Sequence, residues 1–259
     1  MQVYYDVRLQ VNYVVPRQVQ GIALISMDSV SAQLQESGYA VIPDMVRIDE
    51  IGRIERFIDD GFSGGAGTRR LIDRPWCSRL ADQLTRDMRL SKALPTDARA
   101  VQCTLFVKSI ASNWLVSLHQ DLSIPVAERV DNPEYHGWSE KEGELFVQPP
   151  VSILNDMIAV RLHLDDCDER SGALRVVPGS HRLGQLTTAE ATGVRNAEGQ
   201  VCVQVPRGGA MIMKPLLLHA SSKALIHNRR RVLHFVFGPA RLPGRLRWPN
   251  CVQGAEVVG

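Results

Sequence analysis

With 259 residues, 44% hydrophobic and 22% charged, the chain has the length and composition of one globular domain able to bury a full core. A formal charge of +2, with no basic run interleaved with aromatics, argues against nucleic acid, and no apolar stretch approaches the ~18 residues of a membrane span. Five scattered cysteines (Cys77, Cys103, Cys167, Cys202, Cys251) without CxxC spacing read as reduced thiols of a cytoplasmic protein, not as a disulfide framework or a zinc site.

Residues 1–27 hold two strand-like runs, Val3-Tyr4-Tyr5 and Val11 to Val15, with no evident pairing partner in the rest of the chain. They are expected to be a peripheral extension without the pattern of a secretory signal, and residues 28–259 a single domain. A helix is expected behind an Asp28 or Ser29 N-cap, carrying Val30 and Leu34 and ending at Gly38. Tyr39 to Pro43 then reads as a short strand. Apolar spacings of three and four predict an amphipathic helix over 48–60, and a second helix over 76–94 with Trp76, Leu80, Leu84, Met88 and Leu94 inward. The glycine-rich stretch between them lacks the context of a phosphate cradle.

From residue 100 the period changes to two. Val101, Cys103, Leu105 and Val107 share one strand face, and Gln102, Thr104, Phe106 and Lys108 the other. Paired as a hairpin with the strand ending at Asp121, this segment sets Gln102 and Thr104 opposite Asp121 and His119, where they can meet a substrate. Residues 122–150, rich in Pro and Glu, predict a long loop acting as a lid or binding loop. In it Trp138 and Tyr135 either lean on a substrate or pack on the barrel. Further alternating strands are expected over 157–166, 174–177, 201–205, 210–219 and 229–237. Arg161, His163 and Asp165 share a face of the first of these. A sheet polar on its inner face points to a site-bearing barrel.

The chemistry concentrates in His119-Gln120-Asp121. Residues i and i+2 of a strand project together, so an imidazole and a carboxylate can take adjacent corners of a metal's coordination sphere. His219 offers a second imidazole. Two His and one carboxylate leave open positions and suit Fe(II) oxygenases. The competing class is a non-oxidative cupin-like barrel, an isomerase or small-molecule binding protein. Such sites use a tight His-x-His pair followed by Glu, a pattern the sequence lacks.

Gly38 to Pro43, Asn113-Trp114 with His119-Gln120-Asp121, His163 to Asp166, Ser171 to His181, and His219 followed by Arg230 together resemble the phytanoyl-CoA dioxygenase family of Fe(II)/2-oxoglutarate oxygenases. The resemblance runs from about residue 28 to residue 238. It implies a mainly β fold with flanking helices, a double-stranded β-helix (jelly roll). It also implies iron on His119, Asp121 and His219, with Arg230 binding the distal carboxylate of 2-oxoglutarate. In a hairpin turning near residues 224–225, Arg230 comes close to His219 and Ser221, and Ser221 can donate to the same carboxylate. Arg229 and Arg231 then point away. Lys108 and Arg161 face the site by strand parity; either holds the cosubstrate or a substrate carboxylate, or makes an internal salt bridge with Asp165 or Asp166. His181 fits the family's loop histidine, a structural group. The expected reaction takes O2 and 2-oxoglutarate, hydroxylates an unactivated C–H of a small molecule of secondary metabolism, and releases succinate and CO2. The expected assembly is a monomer or homodimer.

Overall fold

The computed structural model describes residues 27–61, 66–109, 111–225 and 229–249; the strand-like runs of the first residues, Cys251 and His227 lie outside them. Helix α1 (Met27–Ser37) is already running at Met27, so Asp28 and Ser29 fall inside its first turn and not at a cap. Gly38, at φ +80°, turns the chain into β1 (Tyr39–Ile42). A Cβ there would meet the ring of His181 at 2.4 Å, so a residue without one is required.

Helix α2 (Ile48–Gly61) buries Ile51, Ile54 and Ile58 at the expected spacing. Each such burial contributes on the order of 1.5–3 kcal/mol. The helix expected over 76–94 divides into α3 (Pro75–Arg86) and α4 (Met88–Ser91). Asp87 is extended between them, and its carboxylate accepts from the Arg89 amide at 2.8 Å, starting a new helix where periodicity alone saw a continuous one. These helices cover one apolar core with the outer face of a sheet. Cys103, Leu105, Leu162, Leu233, Phe235 and Phe237 are that face's contribution.

The sheet has six strands. Short β2 (Gly67–Thr68) pairs with β3 (Arg99–Lys108) at its edge, and β13 (Arg230–Gly238), β8 (Ile158–His163), β11 (Ala210–Met213) and β1 follow in order, every pair antiparallel. A four-stranded sheet faces it, in the order β10 (Val201–Val203), β9 (Leu174–Val176), β12 (His219–Ser221), β4 (Val116–His119). The architecture is a double-stranded β-helix.

Both hairpins read from the sequence are overturned. Strands β3 and β4 lie in opposite sheets, joined only by an isolated Ser109–Ser112 bridge, and so do β12 and β13. Adjacent strands in the chain step across the barrel, which periodicity cannot reveal. Face assignments survive from Gln102 onward, because parity depends on the strand and not on its partner; at Val101 a bulge against β13 shifts the side chain out of the helix-covered core.

The expected structureless lid is also corrected. Strands β5 (Ile124–Val126), β6 (His136–Lys141) and β7 (Glu144–Gln148) make a third sheet. Its hairpin turns at Glu142 and Gly143, both at positive φ, as a two-residue primed turn requires. Glu142 in the first position concealed the turn. No helix of the described residues is long and apolar enough to cross a membrane.

Candidate metal centre and its cavity

The paired strands β4 and β12 set His119 directly across from His219. The rings lie 4.2 Å apart. A bulge between them lets β4 run three residues while β12 runs two. Asp121 follows just past the end of β4, where its amide donates to Pro215 O at 2.9 Å. Its two carboxylate oxygens sit 3.6 Å from His119 Nε2 and 3.7 Å from His219 Nε2. One ligand atom from each residue falls within 4.8 Å of the others.

The second ring nitrogens are occupied elsewhere. His119 Nδ1 lies 2.8 Å from Ser117 O and His219 Nδ1 2.8 Å from Leu217 O. A carbonyl can only accept, so both Nδ1 atoms carry the proton and both Nε2 lone pairs face Asp121. That is how outer groups fix the tautomer of a metal-binding histidine. Gln120, on the other side of the chain, holds the segment: its amide donates to Gly184 O and Leu216 O and accepts from Leu186 N. Nothing in the sequence distinguished this glutamine.

Electrostatics favour a deprotonated Asp121 and a neutral His219. Burial pushes His219 down to about 4, against the opposing charge of Asp121. Burial would raise Asp121, but His219 and His119 hold it well below the ordinary carboxylate range. His119 runs the other way: burial lowers it, and the Asp121 carboxylate beside it wins and raises it.

The triad opens on a cavity of about 450 Å³ roofed by both large sheets and rimmed by the three-stranded one. Gln102, Thr104, Arg161, Ser221 and Arg230 line it. Lys108 lies beneath, fully buried, with Nζ 2.7 Å from Ser221 Oγ and 2.6 Å from Ser222 O. Arg230 Nη1 donates to Gly172 O, and its buried Nε has no partner. Asp165 binds Arg231 at 2.7 Å, and Asp166 takes the Arg207 amide, so neither acid reaches Arg161 or Lys108. Arg231 and Arg229 lie off the cavity, Arg229 beside Asp59 at the surface. Trp138 is elsewhere too. Its indole donates to Tyr135 O and Arg129 stacks over its ring, within the small sheet's own apolar cluster. His234, which lines the cavity and accepts from Arg161, carried no sequence signal beyond strand parity.

Three buried cations, Lys108, Arg161 and Arg230, make no ion pair among the described residues, and the charge of Arg230 opposes those of Lys108 and Arg161. Burial, and then Arg230, push Lys108 down to about 8. The unfolded chain holds that proton up to its ordinary 10.5. Between pH 8 and pH 10.5 the unfolded state therefore binds more protons, and stability rises with pH. We expect chemical denaturation of the ligand-free protein to show this rise and Lys108→Met to flatten it; equal slopes in the two proteins would refute it.

Buried cations favour an anion, and a His-Asp-His triad can hold a divalent metal. The donor set thus fits both a divalent ion and a small anion. The profile of the Phytanoyl-CoA dioxygenase (PhyH) family matches residues 34–232. Among solved structures the chain resembles AviO1 from Streptomyces viridochromogenes Tue57, at 20% identity and TM-score 0.57, over 86% of this chain and 99% of that one. HygX from Streptomyces hygroscopicus, solved with nickel and 2-oxoglutarate bound, matches at 16% identity and TM-score 0.55, over 80% and 84%. SnoK from nogalamycin biosynthesis, described as a non-haem alpha ketoglutarate dependent carbocyclase, matches at 15% identity and TM-score 0.59, over 87% of each chain. These likenesses establish the fold. A search of curated proteins finds no match.

Proposed function

The chain belongs to the phytanoyl-CoA dioxygenase family, and from that membership we propose that it is an Fe(II)- and 2-oxoglutarate-dependent oxygenase hydroxylating an unactivated C–H of a small-molecule metabolite. One observation carries the reading: His119, Asp121, His219 and Arg230 line a single cavity, and Lys108 donates to Ser221 in its wall, with no carboxylate paired to either cation among the described residues. When bound, iron and 2-oxoglutarate supply the oxidising power, with the cosubstrate leaving as succinate and CO2.

His119 and His219 offer Nε2, Asp121 offers carboxylate oxygen, and their arrangement leaves the cavity side for cosubstrate and oxygen. Arg230, with its unpartnered Nε, Lys108 and Ser221 receive the distal carboxylate; guanidinium suits it because the fork is bidentate and stays charged. An acid at position 121 fills the coordination position that halide would need, which favours hydroxylation over halogenation. Ring closure and epimerisation use the same machinery, and SnoK and SnoN are described as a carbocyclase and an epimerase. A non-oxidative barrel would have no use for a buried cation pair beside the metal ligands.

The test is succinate formation by the purified chain, dependent on both Fe(II) and 2-oxoglutarate, followed by mass spectrometry of metabolite extracts for gain of an oxygen atom. Metal binding with no effect of 2-oxoglutarate would return the protein to the non-oxidative class.

Gly172 supplies a sharper check. It sits at φ +72°, its carbonyl accepts from Arg230, and a Cβ would come 2.7 Å from Ser222 O and 3.3 Å from Lys108 Nζ. Gly172→Ala should cost about 1–2 kcal/mol in backbone strain and weaken 2-oxoglutarate binding roughly tenfold, by displacing Lys108, while iron affinity holds. Unchanged cosubstrate affinity would separate Lys108 from that role.

A further inference from the structure

The cavity carries more positive charge than a metal and a cosubstrate account for. Among the described residues that line it, Asp121 is the only carboxylate, against Arg69, Lys141, Arg161 and Arg230. Arg69 is neutralised by Glu142, 2.8 Å away. On the Fe(II)/2-oxoglutarate reading above, Arg230 and Lys108 belong to the distal carboxylate. Arg161 is left over. It is 7% exposed, makes no ion pair among the described residues, and has a buried Nε with no hydrogen-bond partner. Its Nη1 lies 3.0 Å from His234 Nδ1. Since guanidinium only donates, that nitrogen accepts, and the neutral imidazole carries its proton on Nε2 as a second donor.

Strand register separates this pair from the cosubstrate anchor. Arg230 is opposite Lys108, whereas Arg161 is opposite His234, which is opposite Thr104. Arg230 and His234 are four residue steps apart along β13, ~13 Å at ~3.3 Å per residue. On the facing sheet, Ser221 touches Lys108 and the metal ligand His219 lies two residues along β12. A cosubstrate anchored at Lys108 and reaching the metal fills the first part of this distance. The row of Arg161, His234 and Thr104 lies beyond it.

We propose that the substrate is a small carboxylic acid whose carboxylate is held by Arg161 and His234 inside the barrel. Burying an unpaired guanidinium costs stability, and burial followed by the Arg230 charge depresses Arg161 to about 10. A bound carboxylate relieves both penalties. A planar fork beside a ring N–H matches a carboxylate in shape and donor count. The C–H nearest that carboxylate is then the one presented to the metal. Lys141, at the rim with its Nζ over the Phe146 ring, adds positive potential at the entrance.

The inference rests on the proposed function, and the first measurement tests that alone: the anaerobic Fe(II) protein must develop a metal-to-ligand absorption band with 2-oxoglutarate. Without the band, the oxygenase reading falls and takes this one with it. With saturating cosubstrate, butanoate, hexanoate, octanoate and benzoate are then titrated, each beside its primary amide. At least one acid should shift the band and its amide should bind at least about tenfold more weakly. Arg161→Met should remove that preference while changing 2-oxoglutarate affinity less than about threefold, and Arg161→Lys should restore part of it. Ligand-free Arg161→Met should be at least as stable as the parent, which guards against misfolding as the cause. Acids that bleach the band by displacing cosubstrate, amides that bind as well as acids, or no acid binding would each overturn the proposal. So would an Arg161→Met protein as poor in 2-oxoglutarate binding as Arg230→Ala.

Discussion

Asp121→Ala should remove iron binding and, with it, succinate formation, while the barrel stays folded. The carboxylate is the only anionic member of the ligand set, and its oxygens lie 3.6 and 3.7 Å from the two imidazole nitrogens that complete it. Loss of outer-shell partners alone commonly costs ten- to a hundredfold in metal affinity, so loss of a charged ligand should exceed about a hundredfold. The fold survives because no buried hydrogen-bonded partner is orphaned: both histidines keep their Nδ1 bonds to Ser117 and Leu217. His119→Ala and His219→Ala should lose iron in the same way. Equilibrium dialysis with Fe(II), beside a thermal melt, reads the two quantities separately. An Asp121→Ala protein that keeps stoichiometric iron and turnover would remove this residue from the ligand set. Asp121→Gly opens a coordination position, and chloride soaked into its iron complex tests whether halide enters it.

What was legible in the sequence was local. The alternation in residues 103–107 and 230–237 assigned side chains to the cavity or the core face, and those faces stand; Val101, at the bulge opposite Val236 and Phe237, packs with Leu216 and Trp248 and not under the helices. Family membership and the double-stranded β-helix were legible from the ordered motifs. Long-range pairing was not. Two plausible hairpins, 102–121 and 219–230, dissolve into strands of opposite sheets, because the step across the barrel leaves no mark on periodicity. Arg230 and Ser221 still reach one cavity, but across the barrel and not along a ladder. The small sheet was hidden for a different reason: its turn uses Glu142 at positive φ, where the common signal is Asn or Asp before Gly. Glu142 is held there by Thr68 and Arg69, contacts distant in sequence. Gln120 and His234 were invisible because a satisfied buried amide and a neutral buried imidazole look like any others until their partners are known.

Arg230→Ala should raise the 2-oxoglutarate dissociation constant by roughly 2–5 kcal/mol, about thirty- to several-thousandfold, with iron affinity nearly unchanged. Arg230 is 3% exposed and has no carboxylate partner among the described residues, so the energy of pairing with an incoming anion is unspent in the ligand-free protein. Arg231, one residue on, faces the opposite side of β13 and is already used. It binds Asp165 at 2.7 Å and reaches Glu55 of α2, clamping that helix to the barrel. Arg231→Ala should therefore destabilise the fold by roughly 3 kcal/mol, the lower range for breaking a buried ion pair because both carboxylates keep some contact with water. Its cosubstrate affinity should stay within about twofold. Arg229, at the surface beside Asp59, should change neither quantity. Titrating 2-oxoglutarate into the anaerobic Fe(II) proteins gives the affinities, and urea unfolding gives the stabilities. The decisive pattern is the crossing of effects between neighbouring arginines: one loses ligand and keeps stability, the other does the reverse. Loss of cosubstrate binding in Arg231→Ala with normal binding in Arg230→Ala would reassign the carboxylate to the other face of the strand and refute the site as described.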